Sequence, residues 1–138
     1  MGLTVLDAGV VIAGLDAGDA HHEAAVNALL CGRDRGDTFV LPVSAYVEIL
    51  VRPAQRGPDV VARADAGLDA MAISIASADR EVARAAAMLR ARYAALRLPD
   101  ALVIATAIQA NADFLLTTDL RWKKLAHLGL PGRLVLVG

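Results

Sequence analysis

The sequence is short of several features that would each have assigned it to a class. It has one cysteine in 138 residues, Cys31. A disulfide framework and cysteine-ligated zinc are both excluded on that count. It has no excess of charge of one sign: fourteen basic residues face fifteen acidic ones, for a formal net charge of −1. No global positive field advertises a nucleic-acid partner. Lysine is nearly missing, since twelve of the fourteen bases are Arg and only Lys123 and Lys124 are Lys. Arg grips phosphate bidentately, but GC-rich coding produces the same bias. There is no long apolar run either. The longest stretch free of charge, Ala101–Ala112, is closed in by Asp100 and Asp113, whereas a membrane-spanning helix needs about 20 apolar residues. Met1–Asp7 has neither a basic start nor an apolar run of signal length. A cytoplasmic protein with no membrane association is the expectation.

What is present is apolar substance: 57% hydrophobic residues against 21% charged, which excludes intrinsic disorder. A chain of this length buries roughly two-thirds of its unfolded surface and folds without staples. With no internal repeat, linker or composition break, residues 1–138 read as a single domain.

Short apolar runs alternate with amphipathic stretches. Strands are predicted at Leu3–Leu6, Phe39–Val43, Met71–Ile75, Phe114–Thr117 and Leu134–Val137. Helices are predicted over Gly9–Ala17, over Asp19–Arg33, from an N-cap at Ser44 to Gln55–Gly57, and from Pro58 to about Ala70. A long helix is predicted after a cap at Ser77 with Asp79 and Glu81 in its first turn, then one from Pro99 to near Asn111, and one over Asp119–His127 stopped by Gly129. Alternating strands and helices imply βαβ units and a parallel sheet covered on both faces, and the continuously apolar strands suit buried parallel pairing. In such sheets ligands bind beyond the carboxyl ends of the strands.

Four carboxylates stand at or near those ends in apolar surroundings. Asp7 follows the first strand. Glu48 lies one turn into the helix after the second. Asp100 opens the helix Ala101-Leu102-Val103-Ile104-Ala105, and Asp119 follows the strand Phe114–Thr117. Singly, Asp7 and Asp119 read as caps, Glu48 as a half-exposed helical acid, and Asp100 as a complement to the helix dipole. Together, four negative charges in a poorly solvated place cost several kcal/mol unless a cation joins them. An all-carboxylate donor set with no clustered His or Cys fits Mg²⁺ or Mn²⁺. Such ions activate water and neutralise phosphate, so the residues point to metal-dependent phosphoryl transfer or hydrolysis.

Leu6-Asp7 after an N-terminal strand, Ser44-x-x-x-Glu48, Leu98-Pro99-Asp100-Ala101 and Leu116-Thr117-Thr118-Asp119-x-x-Trp122, in this order and spacing over nearly the whole chain, resemble a PIN domain. More narrowly, they resemble the VapC ribonuclease toxins of bacterial toxin–antitoxin pairs. The resemblance implies a three-layer α/β/α sandwich with a central, mostly parallel sheet. It implies a Mg²⁺-dependent endoribonuclease, with Mn²⁺ as substitute, that cuts structured RNA such as tRNA or rRNA by metal-activated water and leaves 5′-phosphate and 3′-hydroxyl ends. Asp7, Glu48, Asp100 and Asp119 would then be the catalytic metal ligands, with Thr117 in support. It also implies a homodimer and a small VapB-like antitoxin that covers the acidic cleft, with the helices from Gly9 to Arg33 and Ser44 to Ala70 as groove walls. Two positions depart from the pattern. Gly9 stands where the family often has Ser, Thr or Asn, and Trp122 replaces the more usual Phe.

Other residues are assigned more modestly. Ser44 shares a helical face with Glu48 and reads as a supporting residue as well as a cap. Arg52, Arg56 and Arg121 follow two of the acids and are the RNA-contact candidates. Arg80, Arg84, Arg90, Arg92 and Arg97 could line an RNA path, but most of them read as solvated helix faces. His21 and His22 lack a third ligand and read as surface residues, and Cys31 reads as a small buried apolar residue. Two alternatives stay open: a catalytically weak or silent PIN-like module that binds RNA or protein, motivated by Gly9, and a phosphatase or phosphoacceptor domain. The latter ordinarily needs a second Asp where Gly9 stands and a post-strand Lys.

Overall fold

The computed structural model describes residues 1–125, 129–130 and 132–138. In chain order these residues form β1 (Leu3–Leu6), α1 (Ala8–Leu15), α2 (His22–Asp34), β2 (Thr38–Pro42), α3 (Val43–Arg56) and α4 (Pro58–Ala70). They continue as β3 (Ile73–Ala76), α5 (Arg80–Arg92), α6 (Leu98–Gln109), β4 (Phe114–Thr117), a 3₁₀ stretch (Leu120–Leu125) and β5 (Arg133–Leu136).

The strands form one sheet in the order β3-β2-β1-β4-β5. Every neighbouring pair is parallel: Val5 is in register with Val40 on one side and Leu115 on the other, Leu41 with Ile75, and Leu116 with Val135. From β1 the chain steps outward to β2 and β3, then returns across β1 to β4. The switch point therefore lies between β1 and β4. Right-handed crossovers put α1–α4 on one face of the sheet and α5–α6 on the other, which makes the expected three-layer α/β/α sandwich. Fully buried Val5, Leu6, Leu41 and Leu115 on the strands pack against Val10, Val11 and Ile104 on the helices.

Local chemistry explains most boundaries. The Asp7 carboxylate caps α1 by accepting the Ala8 N–H at 2.8 Å. Gly57, at φ +127°, separates α3 from α4, and Pro58 then opens α4. Among the described residues no helix is long and apolar enough to cross a membrane.

Several local expectations are corrected. Asp79, not Ser77, caps α5, accepting the Val82 N–H at 2.9 Å. Ser44 is the second residue of α3 rather than its cap, because Pro42 already ends β2 in extended geometry and the helix starts at Val43. Met71 lies in the turn before β3. The expected helix over Asp119–His127 is a 3₁₀ stretch from Leu120 to Leu125, and its expected end at His127 lies outside the described residues. Cys31 is exposed, because α2 turns Ala25, Leu29 and Gly32 inward instead.

Candidate active site

The carboxyl ends of β1 and β4 place Asp7 and Thr117 side by side at the switch point. The Thr117 hydroxyl is fully buried and does two things at once. It donates to Asp7 Oδ2 at 2.8 Å and accepts the Asp119 N–H at 3.0 Å. One hydroxyl thus ties the ends of both strands together and sets Asp119 relative to Asp7. With its other oxygen held by the Ala8 N–H, Asp7 has both carboxylate oxygens fixed.

Asp7 is 7% exposed. Burial pushes its carboxyl up to about 6; the Thr117 and Ala8 bonds oppose that rise, and the nearby charges of Asp100 and Glu48 add to it. Glu48, half-buried on α3, is also raised, first by burial and then by the Asp100 charge, with Arg97 opposing. Asp7, Glu48 and Asp100 are thus within electrostatic reach of one another.

Asp100 is buried in the first turn of α6, the helix that leads down to β4. Arg97 engages it with a two-toothed grip, Nε to Oδ2 at 3.1 Å and Nη2 to Oδ1 at 3.3 Å. Asp119 is held in the same way by Arg121, with Nη2 to Oδ2 at 2.6 Å and Nε to Oδ1 at 2.9 Å. The Arg121 Nε also reaches Oδ2 at 3.2 Å, and its backbone N–H donates to Oδ1 at 2.9 Å. This grip keeps the Asp119 carboxyl below the usual carboxylate range. Arg97 also feels Glu48, and Arg121 feels Asp100. Four acids and two arginines thus lie within electrostatic reach of one another at this candidate site. As the side chains stand, no three acids among the described residues converge closely enough to hold an ion. The donor set still fits a hard divalent cation: all oxygen, partly desolvated, and with Asp7 carrying an unfavourable charge that a cation would relieve.

The other expected residues divide. Ser44 does not bond Glu48; its hydroxyl donates at a long 3.5 Å to the Pro99 carbonyl and so links the first turns of α3 and α6. Arg52 and Arg56 are exposed on α3, about 6 and 12 Å along the helix from Glu48 at 1.5 Å per residue. Gly9 proves sterically constrained, because a Cβ there would strike the Thr118 hydroxyl. Arg97 is solvated as expected, with a side chain 57% exposed, but it also reaches Asp100, a pairing the sequence reading missed; the signal was its i,i+3 spacing from that acid. A cleft of about 420 Å³ opens beside Asp100 and Arg121, walled by Tyr93, Leu96, Trp122 and Lys124.

The PIN domain model matches residues 4–128, nearly the whole chain. The chain belongs to the PIN domain family. Solved structures of similar fold include VapBC2 from Rickettsia felis bound to a DNA fragment from its promoter (TM-score 0.75, 14% identity, 99% of each chain). VapC20 of Mycobacterium tuberculosis, a sarcin–ricin loop cleaving toxin, matches with a TM-score of 0.72 at 15% identity over 92% of this chain and 98% of its own. VapBC-5 of the same organism, a toxin–antitoxin system, matches with a TM-score of 0.67 at 21% identity over 99% of this chain and 100% of that one. A search of curated protein sequences found no match. In this PIN domain the acids of the sequence pattern and the switch point of the sheet coincide.

Proposed function

We propose that this PIN domain is a metal-dependent endoribonuclease, the toxin of a toxin–antitoxin pair, with Asp7, Glu48, Asp100 and Asp119 as its metal ligands. The observation that carries the reading is Asp7. A buried carboxylate with both oxygens held, raised to about 6 and facing two further acids at a sheet switch point, is costly as a structural device and useful as a cation ligand. Mg²⁺, with Mn²⁺ as substitute, would supply charge neutralisation at a phosphate and an acidified water.

The chain's own residues define the rest of the work. Thr117 fixes Asp7 and Asp119 relative to one another. Arg97, at the open end of α6, holds Asp100 and stands ready for phosphate. Arg121 and Lys124 border the adjoining cleft, which gives a nucleotide of a structured RNA, tRNA or rRNA, a place beside the acids. Arg52 and Arg56 extend the basic path along α3. Ile12 and Leu15 on α1 and Val47 and Val51 on α3 are exposed apolar side chains, and the helices that carry them would receive a small VapB-like antitoxin. We place the protein in the cytoplasm as a single-domain homodimer.

End-group analysis tests the chemistry. New RNA ends should carry 5′-phosphate and 3′-hydroxyl, and a 2′,3′-cyclic phosphate would overturn the metal-water route. A second reading, a silent RNA- or protein-binding module, draws on Gly9 and on the two acids already paired with arginines. Specific RNA binding with no turnover under any divalent ion would favour it.

A further inference from the structure

Asp119, like Asp100, is paired with an arginine close by in the chain, and it alone also accepts a backbone N–H from that same arginine. Its partner Arg121 lies two residues on, with a side chain 68% exposed against 18% for Asp119. The guanidinium makes three bonds to the carboxylate, while the Arg121 backbone N–H independently fixes Oδ1. The carboxylate would thus keep its orientation if the guanidinium left. Beyond Asp119 its long exposed stem makes no hydrogen bond to another described residue, so a cation that takes the carboxylate releases the guanidinium. It would swing over the cleft that Arg121 already borders.

We propose that Arg121 is a displaceable counter-cation of the acidic site. Its guanidinium neutralises Asp119 while no divalent cation is bound, and it gives up that carboxylate when one binds. The inference rests on the metal-site reading above and adds to it a built-in competitor. Arg121 would then weaken metal affinity in the free protein and make the four-acid cluster tolerable without metal.

Mn²⁺ alone is the probe, followed by electron paramagnetic resonance on wild type, Arg121→Ala, Arg121→Lys and a distant control, Arg84→Ala. Removing an exposed bidentate partner should tighten Mn²⁺ binding about two- to five-fold. Arg121→Lys should fall between, because an ammonium lacks the planar fork, and Arg84→Ala should match wild type. A second readout does not depend on affinity. In protein labelled with ¹⁵N-arginine, the Arg121 Nε–H resonance, assigned by its loss in Arg121→Lys, should move toward the free-arginine position as Mg²⁺ is added. If wild type binds Mn²⁺ and Arg121→Ala binds no tighter, or the resonance stays in place through saturation, the counter-cation role is overturned and the metal site stands. If neither wild type nor Arg121→Ala binds Mn²⁺, the metal-site reading falls and this inference with it.

Discussion

Replacing Asp7 with Asn should stabilise the metal-free protein at neutral pH. The Asp7 carboxyl is raised from 3.8 to about 6 by burial. At 1.36 kcal/mol per decade, that rise amounts to about 3 kcal/mol of destabilisation once the carboxylate is ionised. The sign follows from linkage. Between pH 4 and 6 the folded state holds the proton that the unfolded state has released, so stability falls as pH rises through that window and then levels off. Asn avoids the cost. Its Oδ1 can keep the Ala8 N–H, and its Nδ2 can donate to Thr117 Oγ1, which has a lone pair free beyond the one used by the Asp119 N–H. At pH 7.5 in EDTA, Asp7→Asn should gain up to about 3 kcal/mol, roughly 10 °C in midpoint for a domain of this size. At pH 4 the two proteins should coincide. Urea denaturation across pH measures both. Adding Mg²⁺ should then stabilise wild type by mass action and leave the variant unmoved. An Asp7→Asn protein equal to or weaker than wild type at pH 7.5 in EDTA would refute the reasoning, for Asp7 would then be a satisfied cap.

Other outcomes follow from the same geometry. Mn²⁺ affinity should drop about ten-fold per pH unit below 6, as Asp7 takes up its proton, and be flat above; titrations at pH 5, 6 and 7 check this, and a flat profile contradicts it. Thr117→Val should cost about 1–3 kcal/mol, because it leaves the Asp119 N–H without its acceptor and removes a bond to Asp7; denaturation at pH 7.5 reads it. Gly9→Ser should destabilise by about 1–3 kcal/mol through collision with the Thr118 hydroxyl. Adding Thr118→Ala should recover most of that, and a double variant no better than Gly9→Ser would show that the clash is not the cause. Trp122→Ala should cost about 3–5 kcal/mol, since the indole is 1% exposed.

Much of this arrangement was legible in the sequence because it rests on local rules. Short apolar runs such as Leu3–Leu6 and Phe114–Thr117 have the length of buried parallel strands, and acids within two residues of their ends then lie at the carboxyl edge. Asp7 and Asp119 were visible for that reason, and Asp100 because Pro99 marks a helix start. The errors arose where two local choices compete. Ser77 and Asp79 both suit a cap, and only Asp79 has its carboxylate within reach of the Val82 N–H. The residues after Asp119 have helical spacing, but Asp119 draws the Arg121 N–H to its side chain and the turn tightens to 3₁₀. The role of Arg97 was hidden because it faces water like the arginines around it, and its side chain's reach to Asp100 shows only in the structure. The dual role of the Thr117 hydroxyl depends on β1 and β4 being neighbours, a pairing 110 residues apart that no short motif declares.

The most direct test of the central claim is to incubate purified, antitoxin-free protein with total bacterial RNA in Mg²⁺, Mn²⁺ or EDTA, beside Asp7→Asn, and to sequence the new 5′ ends. Discrete cuts that require the metal and vanish in the variant are the predicted result. Cuts that persist in EDTA or in Asp7→Asn, or no cuts at all from folded wild-type protein, would contradict it.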